Sequence, residues 1–158
     1  MSRSTTGSAV RPVVGYAPGA YDLFHVGHLN VLKHAAAHCD RLVVGVVSDE
    51  MLLLTKGRLP VVPLAERLEI VRNLRFVDDV HAEVVPEKID TWREVGFDVL
   101  FKGDDWRGTA KGLKLERDFA ALGVEIVYFP YTIHTSSTLL RKALDGMVAE
   151  RETASVGV

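Results

Sequence analysis

Residues 19–28 form the most informative segment of the chain and read Gly19-Ala20-Tyr21-Asp22-Leu23-Phe24-His25-Val26-Gly27-His28. An apolar run at 13–16 precedes it, and Pro18 followed by Gly19 predicts a turn. After it, apolar residues recur every three or four positions, which is the spacing of an amphipathic helix. The segment therefore predicts the strand, turn and helix of a first βα unit.

Two histidines stand at the predicted start of this helix. His25 and His28 are three residues apart, so a helix that opens at Val26 places them on one face of its first turn. Gly27 leaves the backbone between them accessible to a bulky ligand. Because the free N–H groups of a helix start favour phosphate, the stretch indicates a phosphate-binding site. Solvent-facing caps and half of a zinc site are the alternatives, and zinc would need three or four ligands.

The composition is that of a globular protein with one domain. The chain has 158 residues, of which 47% are hydrophobic and 25% charged, and its formal net charge is −2. This charge gives no general attraction to nucleic acid. Cys39 alone cannot form an internal disulfide, and no apolar run approaches membrane-spanning length, so a cytoplasmic protein is expected. Residues 1–12 are expected to be a disordered lead-in, 13–145 the folded domain and 146–158 a frayed tail.

Strand and helix patterns alternate along the rest of the chain. Strands are predicted at 41–47, 80–85, 98–101 and 124–129, and helices at 64–76, around Trp92, at 115–122 and at 139–144. The segment 107–114 is predicted to be a mobile loop. This alternation predicts an α/β fold, a single Rossmann-like doubly wound domain with a mostly parallel five-stranded sheet. Ligands of such folds bind beyond the carboxyl ends of the strands, where residues 19–28, 103–106 and 135–138 would meet.

Two of those segments carry further candidate binding residues. Residues 135–138 read Thr-Ser-Ser-Thr before a predicted helix, where one hydroxyl suffices as a cap and four also suit phosphate oxygens. Residues 103–106 read Gly-Asp-Asp-Trp, which is either a tight turn or a source of carboxylates for hydrogen bonds. The usual phosphate loops of kinases and of nicotinamide-dinucleotide enzymes are absent from the sequence.

These motifs together resemble the HxGH nucleotidylyltransferase superfamily. The segment 25–28 resembles its HxGH motif, and 103–106 with 135–138 resembles its cytidylyltransferase branch, in particular the bacterial glycerol-3-phosphate cytidylyltransferase family. The resemblance extends from about Val13 to Leu144. It implies transfer of CMP from CTP to a small phosphorylated alcohol, with glycerol 3-phosphate giving CDP-glycerol and pyrophosphate. It also implies a homodimer and Mg²⁺ bound mainly through the nucleotide phosphates.

The resemblance implies roles for individual residues. His25 and His28 would hold the triphosphate and stabilise charge in the transition state. The catalytic set would be completed by Lys56 and Arg75. The nucleotide-binding set would be Gly19, Ala20, Tyr21, His25, His28, Asp105, Tyr131, Thr135, Ser136, Ser137 and Thr138. The acceptor-binding set would be Asp22, Lys56, Arg75 and Lys88.

Three positions depart from the family pattern. Ala20 stands where the family usually has Thr, Tyr131 where its last motif begins with Arg, and His134 where it has Gly. The form Ser-Ser-Thr-x-x-Arg, which ends at Arg141, also resembles adenylyltransferase relatives. Arg141 or His134 is therefore a hypothesis for the missing cation. Phosphoethanolamine or a hydroxyalkylphosphonate as acceptor, adenylyl transfer from ATP, and a non-catalytic nucleotide sensor are the alternative functions.

Overall fold

The structure, a computed structural model, describes residues 10–130 and 136–156. Within these residues five strands form one sheet: β1 (Val14–Gly19), β2 (Arg41–Val47), β3 (Asp79–Glu83), β4 (Val99–Gly103) and β5 (Glu125–Phe129). The strand order is β3-β2-β1-β4-β5, and every pairing is parallel. The predicted five-stranded α/β fold is confirmed.

Helices cover both faces of this sheet. The α-helices of the described residues are α1 (Val26–Ala37), α2 (Asp49–Lys56), α3 (Leu64–Arg72), α4 (Lys88–Val95), α5 (Ala110–Ala120) and α6 (Ser137–Val156). On one face, Leu32 of α1 and Val71 of α3 join the core. On the other face, Trp92 of α4 and Phe119 of α5 pack around Tyr16 of β1. None of the described helices is both long and apolar enough to span a bilayer.

The sheet divides at its carboxyl edge between β1 and β4. β1 pairs with β2 along its whole length, but with β4 only at Gly15 and Tyr16. β2 and β3 lie on one side of β1, while β4 and β5 lie on the other. Strands β1 to β3 extend the sheet in one direction, and β4 begins on the other side of β1, so the strand order reverses beside β1. In α/β folds the ligand binds in the crevice that opens at such a switch point.

The turn predicted at Pro18 and Gly19 is wrong, because both residues belong to β1. They pair with Gly45 and Val46 of β2. A proline lacks the N–H donor that a strand between two neighbours needs. It is tolerated here because β4 no longer pairs with β1 beyond Tyr16.

Several predicted helix boundaries also differ from the structure. α3 ends at Arg72 rather than near residue 76, because the chain then forms tight turns that lead into β3. α5 begins inside the predicted loop at 107–114, since the Thr109 side chain accepts a hydrogen bond from Gly112 N and caps the helix. α6 continues to Val156 rather than ending near Leu144, so the described helix extends through the segment expected to be a tail.

One helix is not predicted by the sequence pattern. α2 follows β2 directly, and its N-cap Ser48 accepts a hydrogen bond from Met51 N at 3.2 Å. Gly57 ends the helix in the left-handed conformation, with φ of 71°, which glycine adopts without steric cost. The helix therefore delivers its last residue, Lys56, to the carboxyl edge of the sheet.

Candidate active site

His25 and His28 cap helix α1 with their side chains. His25 is the N-cap residue, and its Nδ1 accepts a hydrogen bond from Gly27 N at 3.0 Å. His28 Nδ1 accepts a hydrogen bond from His25 N at 3.3 Å. Because both Nδ1 atoms act as acceptors, each neutral ring carries its proton on Nε2. Each histidine therefore offers an Nε2–H donor whose tautomer is set by the backbone.

The two rings lie side by side and remain neutral. Their centroids are 4.0 Å apart. Burial lowers the pKa of His25, and it lowers the pKa of His28 to about 4, with His25 adding to the effect and Asp22 opposing it. His25 Nε2 is buried and has no hydrogen-bond partner among the described residues. The pair is therefore suited to donate hydrogen bonds to anionic oxygens rather than to remove a proton.

The loop between β1 and α1 is held in an uncommon conformation. Tyr21 and Leu23 adopt positive φ angles of 52° and 50°, a region that residues with a side chain seldom occupy. Tyr21 Oη donates to the carbonyl of Ala17 at 2.9 Å. The Tyr21 ring also packs edge-on against His28, with centroids 5.4 Å apart. These contacts hold the loop in its strained backbone conformation and fix the position of the His28 ring.

Asp22 anchors two other segments to this loop. Its carboxylate is buried and accepts hydrogen bonds from Val61 N at 2.8 Å and Val62 N at 2.9 Å. The Asp22 carbonyl accepts a hydrogen bond from Ser137 Oγ at 2.7 Å, so α6 docks on the same residue. The structure thus places Asp22 at the predicted site, with both of its carboxylate oxygens bonded to the chain.

A buried arginine for which no site role was predicted fixes the same loops. Arg67 of α3 is fully buried. Its guanidinium donates to the carbonyls of Ala20 at 2.6 Å, Val47 at 2.8 Å and Val62 at 2.8 Å. It also pairs with Asp49 Oδ1 at 2.5 Å. These bonds satisfy the buried charge and join the ends of β1 and β2 to the loop before α3.

Six cationic side chains of the described residues form what we call the cation cluster: Lys56, Arg58, Lys88, Lys102, Lys111 and Arg141. Burial lowers the pKa of Lys56, and the charges of Arg58 and Arg141 lower it further. Burial also lowers the pKa of Lys102 to about 8, with Lys56 and Lys111 adding to the effect and Asp105 opposing it. Crowded like charges are unfavourable unless an anion binds. The cluster therefore marks an anion site.

A pocket beside the β1–α1 loop contains three members of the cation cluster. Its lining residues are Ala20, Asp22, Leu52, Lys56, Arg58, Leu59, Pro60 and Arg141. The Arg141 side chain is 16% exposed and lies 3.9 Å from Asp22 Oδ2. Arg141 Nε is buried without a hydrogen-bond partner among the described residues. This position supports the hypothesis that Arg141 supplies the cation that the family motif would otherwise provide.

Lys88 is held at the edge of the site by a buried carboxylate. Lys88 opens α4 and forms an ion pair with Glu83, the last residue of β3. Glu83 is 2% exposed and also accepts a hydrogen bond from Tyr16 Oη at 2.7 Å. Burial and the charge of Lys102 lower the pKa of Lys88 to about 7. In the sequence, this anchor is marked only by a glutamate five residues before Lys88.

Arg75 lies away from these residues. It is exposed in the turns between α3 and β3. This connection lies at the amino end of the sheet, where Asp78 N donates to the carbonyl of Leu42 near the start of β2. The site is at the opposite end. Within a single chain the structure does not bring Arg75 to the other predicted site residues.

The remaining predicted residues fall into three groups. Asp105 is exposed in the short 3-10 helix after β4, and its charge acts on Lys56 and Lys102. Ser136 caps α6, since its Oγ accepts a hydrogen bond from Leu139 N at 3.0 Å, and Thr138 is exposed on the first turn. Tyr131, His134 and Thr135 lie outside the described residues. In the part of the chain that the structure describes, no three His, Cys, Asp or Glu residues form a metal-binding group.

A helix start with two neutral imidazole donors, facing a lysine-rich edge at the switch point of a parallel sheet, defines a nucleotidyltransferase of the HxGH class. Comparison with known proteins gives the same class. Residues 16–143 match the cytidylyltransferase-like family, and the chain belongs to that family.

Individual relatives differ in the activities their names describe. FAD synthase of Pyrococcus abyssi is 36% identical over 123 residues, which make up 77% of this chain and 81% of that protein. Ethanolamine-phosphate cytidylyltransferase of Arabidopsis thaliana is 41% identical over 101 residues, which make up 60% of this chain and 24% of that protein. The lipopolysaccharide core biosynthesis protein of Thermoplasma volcanium shares the fold, with a TM-score of 0.65 at 23% identity over 79% of this chain and 100% of that chain.

Proposed function

We propose that this protein transfers CMP from CTP to the phosphate of a small phosphorylated alcohol and releases pyrophosphate. Glycerol 3-phosphate is the first candidate acceptor, followed by phosphoethanolamine and a hydroxyalkylphosphonate. The observation that carries the proposal is the pair of neutral Nε2–H donors at the start of α1. The cation cluster reaches the loop that leads into this helix, since Arg141 lies 3.9 Å from Asp22. We also expect the enzyme to act as a homodimer, which analytical ultracentrifugation would test.

The chemistry of the acceptor explains why donors are more useful here than a base. A phosphate monoester is largely dianionic near pH 7, since its second pKa is about 6. One of its oxygens can attack the α-phosphorus of the nucleotide directly, without loss of a proton. The bond from the α-phosphorus to the bridging oxygen breaks, and the electron pair leaves with pyrophosphate. His25 and His28 would stabilise the charge that develops on the phosphate oxygens.

The pocket residues support a small anionic acceptor. Lys56 and Arg58 provide positive charge at the pocket wall. The described lining residues include no aromatic side chain on which a large planar ring could stack. A short polyol or amino alcohol that carries a phosphate fits this lining better than a flavin does.

We expect Mg²⁺ to accompany the nucleotide. Mg²⁺ keeps several waters and usually binds through substrate phosphates with one or two carboxylates. The exposed carboxylate of Asp105 is the described acidic group that acts on Lys56 and Lys102. When bound, the ion would neutralise charge on the triphosphate, while the protein's own residues orient it.

Adenylyl transfer from ATP to FMN is the second candidate. The observation that favours it is the relative named FAD synthase, of which this chain covers 81% at 36% identity. The Ser-Ser-Thr-x-x-Arg form that ends at Arg141 points in the same direction.

Pyrophosphate release from CTP, ATP, GTP and UTP, each with glycerol 3-phosphate, phosphoethanolamine or FMN, tests both candidates. Mass spectrometry identifies the product. We expect release with CTP and glycerol 3-phosphate, with CDP-glycerol as the product. Release only with ATP and FMN would replace the first candidate by the second. Tight nucleotide binding without pyrophosphate from any pair would indicate a nucleotide sensor.

A further inference from the structure

A lysine to which the family resemblance assigns no role lies at the carboxyl end of β4. Side chains alternate along a strand, so Lys102 projects to the same face as Leu100, which packs beneath α4 and α5. Lys88 opens α4 on that face. The Lys102 ammonium lies 3.7 Å from the ring centroid of Trp106. Within the described residues it makes no hydrogen bond or ion pair.

The surroundings of Lys102 hold an excess of positive charge. Lys56 and Lys111 disfavour its charged form, and Asp105 is the carboxylate that favours it. Asp105 acts on Lys56 as well, so its charge is shared. Lys102 in turn disfavours the charged form of Lys88. A partly buried lysine among like charges is a functional-site candidate, because a bound anion would remove the repulsion.

The carboxylate nearest Lys88 does not neutralise Lys102. Glu83 pairs with Lys88 and also accepts a hydrogen bond from Tyr16 Oη, so both of its oxygens are engaged. Its 2% exposure leaves no further room for a ligand at that carboxylate. Of the two lysines, Lys102 is therefore the one that forms no ion pair among the described residues.

We propose that Lys102 and Lys88 form a phosphoryl-binding subsite on the α4 and α5 side of the crevice. Its ligand is a phosphate dianion, from either the pyrophosphate part of the nucleotide or the phosphorylated acceptor. His25 and His28 lie at the start of α1, which packs on the opposite face of the sheet. In phosphoryl transfer the attacking and leaving oxygens lie roughly in line, so a second subsite across the crevice would hold the partner group. This inference rests on the proposed nucleotidyl transfer.

Calorimetric titration with pyrophosphate, CTP and glycerol 3-phosphate tests the subsite. Lys102→Met removes the charge and keeps a chain that can pack on Trp106. We expect about tenfold to hundredfold weaker binding of at least one ligand, as for a lost hydrogen bond to a charged group. Lys102→Arg should recover most of the affinity. Lys33→Met, which removes an exposed lysine from α1, is the control and should bind like the wild type.

The pattern of losses identifies the source of the phosphate. Weaker binding of pyrophosphate and CTP places the nucleotide at Lys102, whereas weaker binding of glycerol 3-phosphate alone places the acceptor there. Wild-type affinity of Lys102→Met for all three ligands overturns the subsite, as does a wild type that binds none of them. Because these measurements need no turnover, an enzyme that forms no pyrophosphate would refute the proposed function without deciding the role of Lys102.

A second readout separates a binding role from a structural one. Binding of a dianion should raise the pKa of Lys102 from about 8. At pH 8.5 the wild type should therefore take up protons when it binds its ligand, as measured by titration in buffers of different ionisation enthalpy. Lys102→Met should take up fewer protons. Equal uptake by both proteins contradicts a ligand contact at this residue.

Discussion

For single residues, the chemistry that we propose depends on one nitrogen of each histidine. Backbone N–H groups occupy Nδ1 of His25 and His28, so Nε2 of each ring is left as a donor. The same bonds cap α1, so the helix start and the orientation of the two proposed donors depend on the same contacts. A motif that spells His-x-Gly-His thus encodes both a helix start and a pair of aimed donors.

Replacement of His28 by alanine should abolish most of the turnover. Loss of one fixed donor typically costs about 10²–10³ in kcat. Pyrophosphate release under saturating substrates measures the loss, and circular dichroism shows whether the fold is retained. His34→Ala, which removes an exposed histidine from the same helix, should keep wild-type rates. A folded His28→Ala enzyme with normal kcat would contradict the role of the imidazole pair.

The lowered pKa of His28 should make stability depend on pH. In the folded protein this pKa is about 4, while an unfolded histidine titrates near 6.5. The unfolded chain therefore binds the extra proton first, and this residue lowers the free energy of unfolding as pH falls from about 6.5 to about 4. The full effect is about 3 kcal/mol.

Urea unfolding at pH 7 and pH 4.5 measures this dependence. The difference in unfolding free energy between wild type and His28→Ala should be smaller at pH 4.5, because the variant lacks the group that resists protonation. The same difference at both pH values would show that His28 is not held neutral by burial.

Arg141 should contribute to binding of the nucleotide. Its side chain is largely buried at the pocket wall, with Nε unpaired in the described residues. Arg141→Ala should raise KM for the nucleotide by about tenfold to a hundredfold, as for a lost hydrogen bond to a charged group. Arg151→Ala, on an exposed position of the same helix, is the matched control. An unchanged KM would leave the departure at Tyr131 without its proposed compensation.

At the scale of elements, a hydrogen bond that passes over β2 joins β1 to β3, and the space around it is filled. Tyr16 of β1 donates to Glu83 of β3 across the middle strand. The middle strand has glycine at position 45, where a Cβ would lie 1.9 Å from Tyr16 Oη and 3.0 Å from Glu83 Oε2. Glu83, which forms the ion pair with Lys88, therefore keeps its position because residue 45 of the neighbouring strand is a glycine.

Gly45→Ala should destabilise the protein and disturb Lys88. Over-packing of a dense interior costs about 1–3 kcal/mol, and displacement of Glu83 should also raise KM for the acceptor. Gly146→Ala, at an open position of α6, should be neutral or stabilising by about 0.5–1 kcal/mol. Thermal unfolding of the two variants gives the comparison. Similar melting temperatures for both would show that the β2 position has room to adjust.

The elements that could be predicted are those with a strong local pattern. The β-branched run of β2 gives both of its ends correctly, since every residue from Leu42 to Val46 is buried on one face or the other. Pro18 wrongly suggests a turn, because a strand can accept a proline at this position only when β4 no longer pairs with β1 beyond Tyr16. The exposed second half of α6 buries little that would produce an apolar period, so its length could not be read from hydrophobic spacing.

At the scale of the whole molecule, the convergence of three segments at the carboxyl edge could be predicted from topology alone. The described part of that prediction is supported by the hydrogen bond from Ser137 to Asp22. The roles of Arg67 and Glu83 could not be predicted, because their hydrogen-bond partners are carbonyls and side chains distant in sequence. Arg75 shows the reverse case, a motif residue that the fold places at the far end of the sheet.

The attachment of residues 57–63 would let the proposed acceptor pocket change its lining while its position stays fixed. Val61 and Val62 are fastened to Asp22 through main-chain N–H groups, which any residue except proline can provide. Arg58, Leu59 and Pro60, which face the pocket, can therefore be exchanged without loosening the fastening. Substitutions at these three positions could therefore admit a different phosphate ester without changing the two histidines that we propose for the transfer.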